Sequence, residues 1–223
     1  MHKSYILRSH DGKKLLQTSN IEIKDLLVAW ILISLAFAIA RTVGSGLSVS
    51  SMFTKGFLLY IVISAVTVGI AFLLHELAHK VVAQRYKCWA EFRSDIKMLG
   101  LGLLLSLTGF IFIAPGAVMI YGHITRAQNG KIAAAGPVTN ILIAILMLPL
   151  LFVNFSSSIL TEIVRSGFYI NAFLALFNMI PFLMFDGAKI WAWNKVAYFS
   201  IVGVSIILIV IYSIIMASIG AAI

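Results

Sequence analysis

His75, Glu76 and His79 stand in the order H-E-x-x-H within the run Leu74, His75, Glu76, Leu77, Ala78, His79. On a helix, residues four apart share a face, so both imidazoles can be offered to one ion. Two imidazoles one turn apart suit zinc at about 2.0–2.1 Å, and a glutamate between them is placed to take a proton from water. The chemistry of this spacing is metal-assisted amide hydrolysis. A catalytic zinc takes three protein ligands and keeps a fourth position open, so one more ligand is needed. Of the eight acidic residues, Asp11, Glu22, Asp25, Glu91, Asp95 and Glu162 sit in polar or loop-like stretches. Outside the motif, that leaves Asp186 in an apolar context. It closes the run N-M-I-P-F-L-M-F-D-G that opens at Asn178. Pro181 breaks a helix there and Gly187 permits an unusual backbone angle, so the carboxylate is presented from irregular chain.

The elements that must position these residues are membrane helices. Of 223 residues, 61% are hydrophobic and only 11% are charged, more apolar surface than a soluble domain of this size can bury. Five stretches are long enough to span: Leu26 to Ile39 extended to Val43, Phe57 to Val82, Ile132 to Val153, Phe168 to Phe185, and Val196 to Ala217. A sixth, Met98 to Ala114, is shorter and contains Gly100, Gly102 and Gly109 before Pro115; it reads as re-entrant. Gly116 to Thr125 alternates loosely and reads as a strand. The expected fold is therefore an all-α membrane protein of about five spans, with a re-entrant segment and a small β element near the site. The chain reads as a single protease domain over 1–223, with a polar leader at 1–25 and a catalytic core at 57–190. No internal repeat is visible, and no cleaved signal is expected.

Charge supports the re-entrant reading. With re-entry, fourteen of the seventeen basic residues fall on the amino-terminal side, leaving Arg41, Lys55 and Arg165 opposite. Cytoplasmic loops collect Lys and Arg, so the amino terminus and the opening of the site are expected in the cytoplasm. The net charge of +9 reads the same way, as loops facing anionic lipid headgroups rather than nucleic acid. Phe57 to Leu74 rises about 27 Å at 1.5 Å per residue, which puts His75 near the cytoplasmic end of its span. Re-entry brings Asp186 to that same end. A single cysteine, Cys88, excludes an internal disulfide framework and a cysteine-rich zinc cluster.

H-E-x-x-H followed downstream by N-x-x-P-x-x-x-x-D-G resembles the site-2 protease family of intramembrane zinc metalloproteases. Gly136, Pro137 and Asn140 also resemble the small-residue and asparagine motif of that family, and the likeness covers about residues 57–190. The resemblance implies one zinc per chain held by His75, His79 and Asp186, with Glu76 as general base. It further implies that Asn178 and Pro181 bind and shape substrate backbone, and that the substrate is a transmembrane protein in the lipid bilayer. Many members carry a second proline before the aspartate, where this chain has Phe182 to Phe185, and no PDZ or CBS module is present. Asn140 reads equally as a substrate contact or as a helix-linking asparagine. His123 in the expected strand reads more readily as structural, His2 and His10 carry no signal, and Trp191, Trp193 and Tyr198 read as an interfacial belt. Two rivals stand beside this reading. Intramembrane His, Glu and Asp also mark ion or proton transporters, and a membrane metalloprotease of another type acting at the cytosolic face would take a later glutamate, of which Glu162 is the one available.

Overall fold

The computed structural model describes residues 4–8, 14–46, 54–182 and 185–220, and of those the side chains of 17–46, 54–182 and 185–219. His2 and His10 lie outside the described residues. Among the described residues, five helices are long and apolar enough to cross a membrane: Asn20–Gly44, Lys55–Arg85, Arg126–Phe152, Ser158–Phe177 and Lys195–Ile219. The chain is thus a multi-pass membrane protein. It divides into two compact units, Met1–His123 and Ile124–Ile223.

The first unit begins with an antiparallel hairpin, β1 (Ser4–Arg8) and β2 (Lys14–Ser19), running from Ser4↔Ser19 to Arg8↔Lys14 with a register shift at Leu7/Arg8. The polar leader is therefore structured, because β2 runs directly into helix α1 (Asn20–Gly44) through Ser19, whose hydroxyl accepts from Glu22 N at 3.2 Å. The second span is assembled from α2 (Lys55–Ser64), a π turn at Ala65–Gly69 and α3 (Ile70–Arg85). The π turn leaves Ala65 O for the Trp30 indole, which donates to it at 3.0 Å. Gly69 is required where that indole lies against the helix, since a Cβ there would overlap it.

After α3, Lys87 at φ 62° turns the chain into β3 (Trp89–Ser94), which pairs antiparallel with β4 (Gly116–Tyr121). Between them lies the short apolar segment. Asp95 caps helix α4 (Ile96–Ser106), accepting from Lys97 N and Met98 N at 3.0 and 3.1 Å. Eleven residues rise about 16 Å, half of a hydrocarbon core of about 30 Å. The return chain packs at Ile113 against Gly102, and the two ends meet: Asp95 N donates to Pro115 O at 2.9 Å and Ser94 faces Gly116. A segment whose ends are hydrogen-bonded leaves and returns on one side, as re-entry requires. The strand is shorter than the expected Gly116 to Thr125, and His123 falls after it, exposed.

In the second unit, α5 (Arg126–Met147) opens on a capping box of Thr125 and Gln128 and runs through Pro137 into a 3-10 turn at Leu148–Phe152. Helix α6 (Ser158–Phe177) follows, then α7 (Asp186–Trp193) and α8 (Lys195–Gly220). The expected fourth span, Phe168 to Phe185, is displaced. Ser157 caps α6 ten residues earlier, so Glu162 and Arg165 lie in its first turns rather than in a loop. Glu162 is satisfied locally by Ser166 Oγ at 2.7 Å, and long side chains near a helix end reach the interface. The carboxyl end comes earlier too, at Phe177, because Pro181 cannot supply the next helical N–H. The core joins Phe168, Ala172, Met179, Ile190, Tyr198 and Ile201.

Because α5 crosses one way and α6 returns, Arg126 and Lys195 should label from one side of the membrane and Ser156, exposed between the two helices, from the other. With cysteines placed singly at these positions, impermeant thiol reagents are expected to reach 126 and 195 from the cytoplasm and 156 from outside. Labelling of 195 from outside would sink the charge-based orientation.

Candidate metal centre

Helix α3 is amphipathic in the inverted sense. Its buried residues, Ala71, Phe72, His75, Glu76, His79, Lys80 and Ala83, follow one stripe, while Leu74 and Leu77 are 38% and 39% exposed. A helix that turns leucines outward and His, Glu and Lys inward is suited to lipid outside and a polar site inside. On that stripe the imidazoles of His75 and His79 meet edge to face, with ring centroids 4.6 Å apart at 81°. Both are buried, and Glu76 between them is 9% exposed. Two convergent buried imidazoles beside a carboxylate are a donor set that fits zinc.

The buried stripe is held by residues that the sequence pattern assigned to polar loops. Glu22 is fully buried in the first turn of α1 and forms an ion pair with Lys80. Lys80 Nζ also donates to Thr18 Oγ1 at 2.8 Å, and the second Glu22 oxygen accepts from Phe92 N at 3.0 Å. Gln84 accepts from Gln17 N at 3.1 Å and donates to Gln17 O and Ala90 O at 3.0 and 3.3 Å. Glu91, likewise buried, pairs with Arg93 and accepts from Ser19 Oγ at 3.1 Å. The signal that could have found the central pair is Lys80 itself, a cation on the inward stripe of a span, which demands a carboxylate.

In the second unit, Asp186 does not end a span. It opens α7, buried and only 7% exposed, with Lys189 Nζ 3.6 Å from its carboxylate. The loop before it is closed at its neck: Gly187 N donates to Asn178 O at 2.7 Å, and Tyr198 Oη donates to Met179 O at 2.8 Å. Asn178 caps α6 and its Nδ2 donates to Leu174 O at 2.9 Å, while Pro181 is exposed and Leu183 and Met184 lie outside the described residues. Gly187 is needed for close approach, since any Cβ would fall onto the Met179 carbonyl. Asn140 is fully buried and donates to Asn171 Oδ1 at 2.9 Å, joining α5 to α6. Asn171 is seven residues before Asn178, about 10 Å along α6, so Asn140 is tied to the helix rather than to the loop. Glu162 lies about 24 Å from Asn178 at the opposite end of that helix. Trp191 packs edge to face on Tyr198 beneath Lys195 Nζ, 5.0 Å from its ring, and Trp193 fills the space left by Gly130.

The inward H-E-x-x-H helix in a multi-pass membrane chain defines the class, a membrane protein with two imidazoles and a carboxylate buried on one span. The chain is 45% identical over 157 residues to the Methanocaldococcus jannaschii protein named "Putative zinc metalloprotease MJ0611", covering 70% of this chain and 82% of that one. It belongs to the family of that zinc metalloprotease. No family model matches the chain, and no solved structure matches it.

Gly187→Ala should be felt well beyond its one methyl group. Overpacking of this kind costs about 1–3 kcal/mol. Thermal unfolding in detergent should show a lowered midpoint, whereas Gly203→Ala, inside a helix where the space is open, should not lower it.

Proposed function

We propose that the chain is an intramembrane zinc endopeptidase of the site-2 type, cutting transmembrane protein substrates in regulated intramembrane proteolysis. The observation that carries this reading is the inward stripe of α3, which buries two imidazoles and a carboxylate on a helix whose outer face is apolar. His75 and His79 would hold the ion, and Asp186 would be its third protein ligand. Donor chemistry supports the assignment: two imidazoles and a carboxylate are ligand types that a catalytic zinc takes, and each of the three side chains is buried in its own unit. On this reading the chain is one protease domain. When bound, zinc supplies Lewis-acid polarisation of a carbonyl and acidifies water.

Glu76 takes a proton from the attacking water and delivers it to the amine as the peptide carbon–nitrogen bond breaks, and the acid's remaining proton passes to that amine, leaving a carboxylate and an ammonium group. Substrate must be extended before water can attack, because a helix hides its amides. A strand edge is available for such a segment. On β3, Phe92 N–H and Ala90 C=O point away from β4 and are taken by Glu22 and Gln84. Antiparallel pairing then turns the groups of the facing residues, Val118 and Ile120, to the outer edge of β4. That edge can add a strand of substrate. Asn178, at the neck of the loop before Asp186, would hold substrate backbone. The bilayer is the solvent of the reaction, the opening is cytoplasmic, and nucleic acid has no part in it.

The test is zinc content and cleavage of a single-span substrate by purified protein. Glu76→Gln should keep zinc and lose at least about 100-fold in rate, the usual scale of general-base loss. His75→Ala with His79→Ala should lose the metal. Asp186→Ala should weaken zinc binding along with activity, while Asn178→Ala should leave zinc content alone and slow cleavage by the worth of one hydrogen bond, about 0.5–1.5 kcal/mol. Cleavage by Glu76→Gln at an ordinary rate would refute the assignment.

A further inference from the structure

The outer face of α3 is apolar, and apolar contacts with lipid do not fix a helix about its own axis. Each residue advances an α-helix by about 100°, so a small rotation would swing Glu76 and both imidazoles away from their task. Directional contacts are needed, and they lie in one row. Glu76, Lys80 and Gln84 follow each other at i, i+4 and i+8 on the same face. The last two are tied to both neighbouring strands. Lys80 reaches Thr18 of β2 and Glu22, and Glu22 reaches Phe92 of β3. Gln84 repeats the tie one turn later, to Gln17 of β2 and Ala90 of β3. Phe72 adds an edge-to-face contact with Phe92 at 5.5 Å, on the turn before His75.

We propose that Glu22 and Lys80 are positioning residues of the peptidase, fixing the rotation of the metal helix and thereby the direction in which Glu76 presents its carboxylate. The inference rests on the reading of α3 as the zinc-binding helix. An ion pair this deeply buried adds little stability over a well-packed apolar pair of the same size, so its directionality is what it contributes. Glu22 is suited to this because its two oxygens serve different elements, one the lysine on α3 and the other the backbone of β3. Neither residue touches substrate or metal in this scheme. They act through the helix that carries both.

The test compares the full-length wild type with the neutral pair Glu22→Gln/Lys80→Met, which keeps side-chain volume and buries no unpaired charge. Each is loaded with zinc for kinetics and with cobalt for its visible absorption spectrum, which reports ligand geometry independently of cleavage. The expected result is a folded variant that holds one metal per chain, with kcat per bound zinc down about 10-fold or more, KM within about twofold, and a shifted cobalt spectrum. Thr18→Val, which removes one acceptor from Lys80 without stranding a charge, should move kcat and spectrum the same way by a smaller factor, and it serves alone if the double variant does not fold. An unchanged cobalt spectrum and unchanged kcat per bound metal in these variants would overturn the proposal and leave the pair a purely structural contact. Metal binding by the wild type without any cleavage would instead defeat the proposed function, and the cobalt spectra would still decide the positioning role.

Discussion

A helix that carries His75, Glu76, His79 and Lys80 through an apolar segment has to be given partners for four polar side chains, and the elements packed around it follow from that requirement. A charged group at the centre of a bilayer costs at least about 2.5–3.5 kcal/mol, and removing one member of a buried ion pair costs about 3–5 kcal/mol. For Lys80, and for Gln84 one turn further on, the first unit answers with backbone and side chains drawn from three places. The first turn of α1 supplies Glu22, β2 supplies Thr18 and the Gln17 backbone, and β3 supplies the Phe92 and Ala90 backbone. The hairpin and the short sheet are therefore more than decoration on a helical protein. They are the sources of hydrogen bonds for side chains that the fold takes away from water.

The second unit meets the same constraint at the loop between α6 and α7. Irregular chain exposes backbone groups, and each must be satisfied where lipid cannot do it. Asn178 O and Met179 O receive Gly187 N and the Tyr198 hydroxyl, closing the neck of a ten-residue excursion that runs from Asn178 to Gly187. The physical meaning of the D-G pair lies here: the aspartate begins a new helix, and the glycine lets the chain of Met179 pass close enough to close the loop. A proline after the asparagine stops α6 from running on, so Asp186 starts α7 instead of continuing a span. The neck of the loop is thus fixed by directional contacts, beside the apolar packing of Met179 in the core and of Phe185 on Phe177.

The inward face of the H-E-x-x-H helix, the count of spans and the short apolar segment that turns back on itself were legible in the sequence because each is a local pattern. H-E-x-x-H needs only the helical period, and spans need only length and hydropathy. Where polar residues interrupted that hydropathy the boundaries slipped, as at α6, whose Glu162 and Arg165 made its first two turns look like a loop. The strand β3 escaped notice because six residues with Glu91 and Arg93 among them have no clear alternation. Least legible was the network around Lys80. Its partners are 58 to 70 residues apart in sequence, and Glu22 looks like a solvated charge until the fold buries it completely. Nothing in the neighbourhood of a single residue announces such a pairing.

The network also sets which edge of the small sheet is open. A two-stranded sheet has two outer edges, and in an apolar setting both present unpaired donors and acceptors. Glu22 and Gln84 close the β3 edge with side chains of the right length, one accepting from Phe92 N and the other donating to Ala90 O. No comparable side chain is bonded to Val118 or Ile120 among the described residues. The asymmetry follows from geometry: α1 and α3 pack on the side of β3, so their polar side chains reach that strand and not the other. Glu22, which ties α3 to β3 through Lys80, thus also caps the inner strand, and the outer edge of β4 is left to its own backbone groups. Orientation of the helix and choice of strand edge are in this way two consequences of one set of contacts.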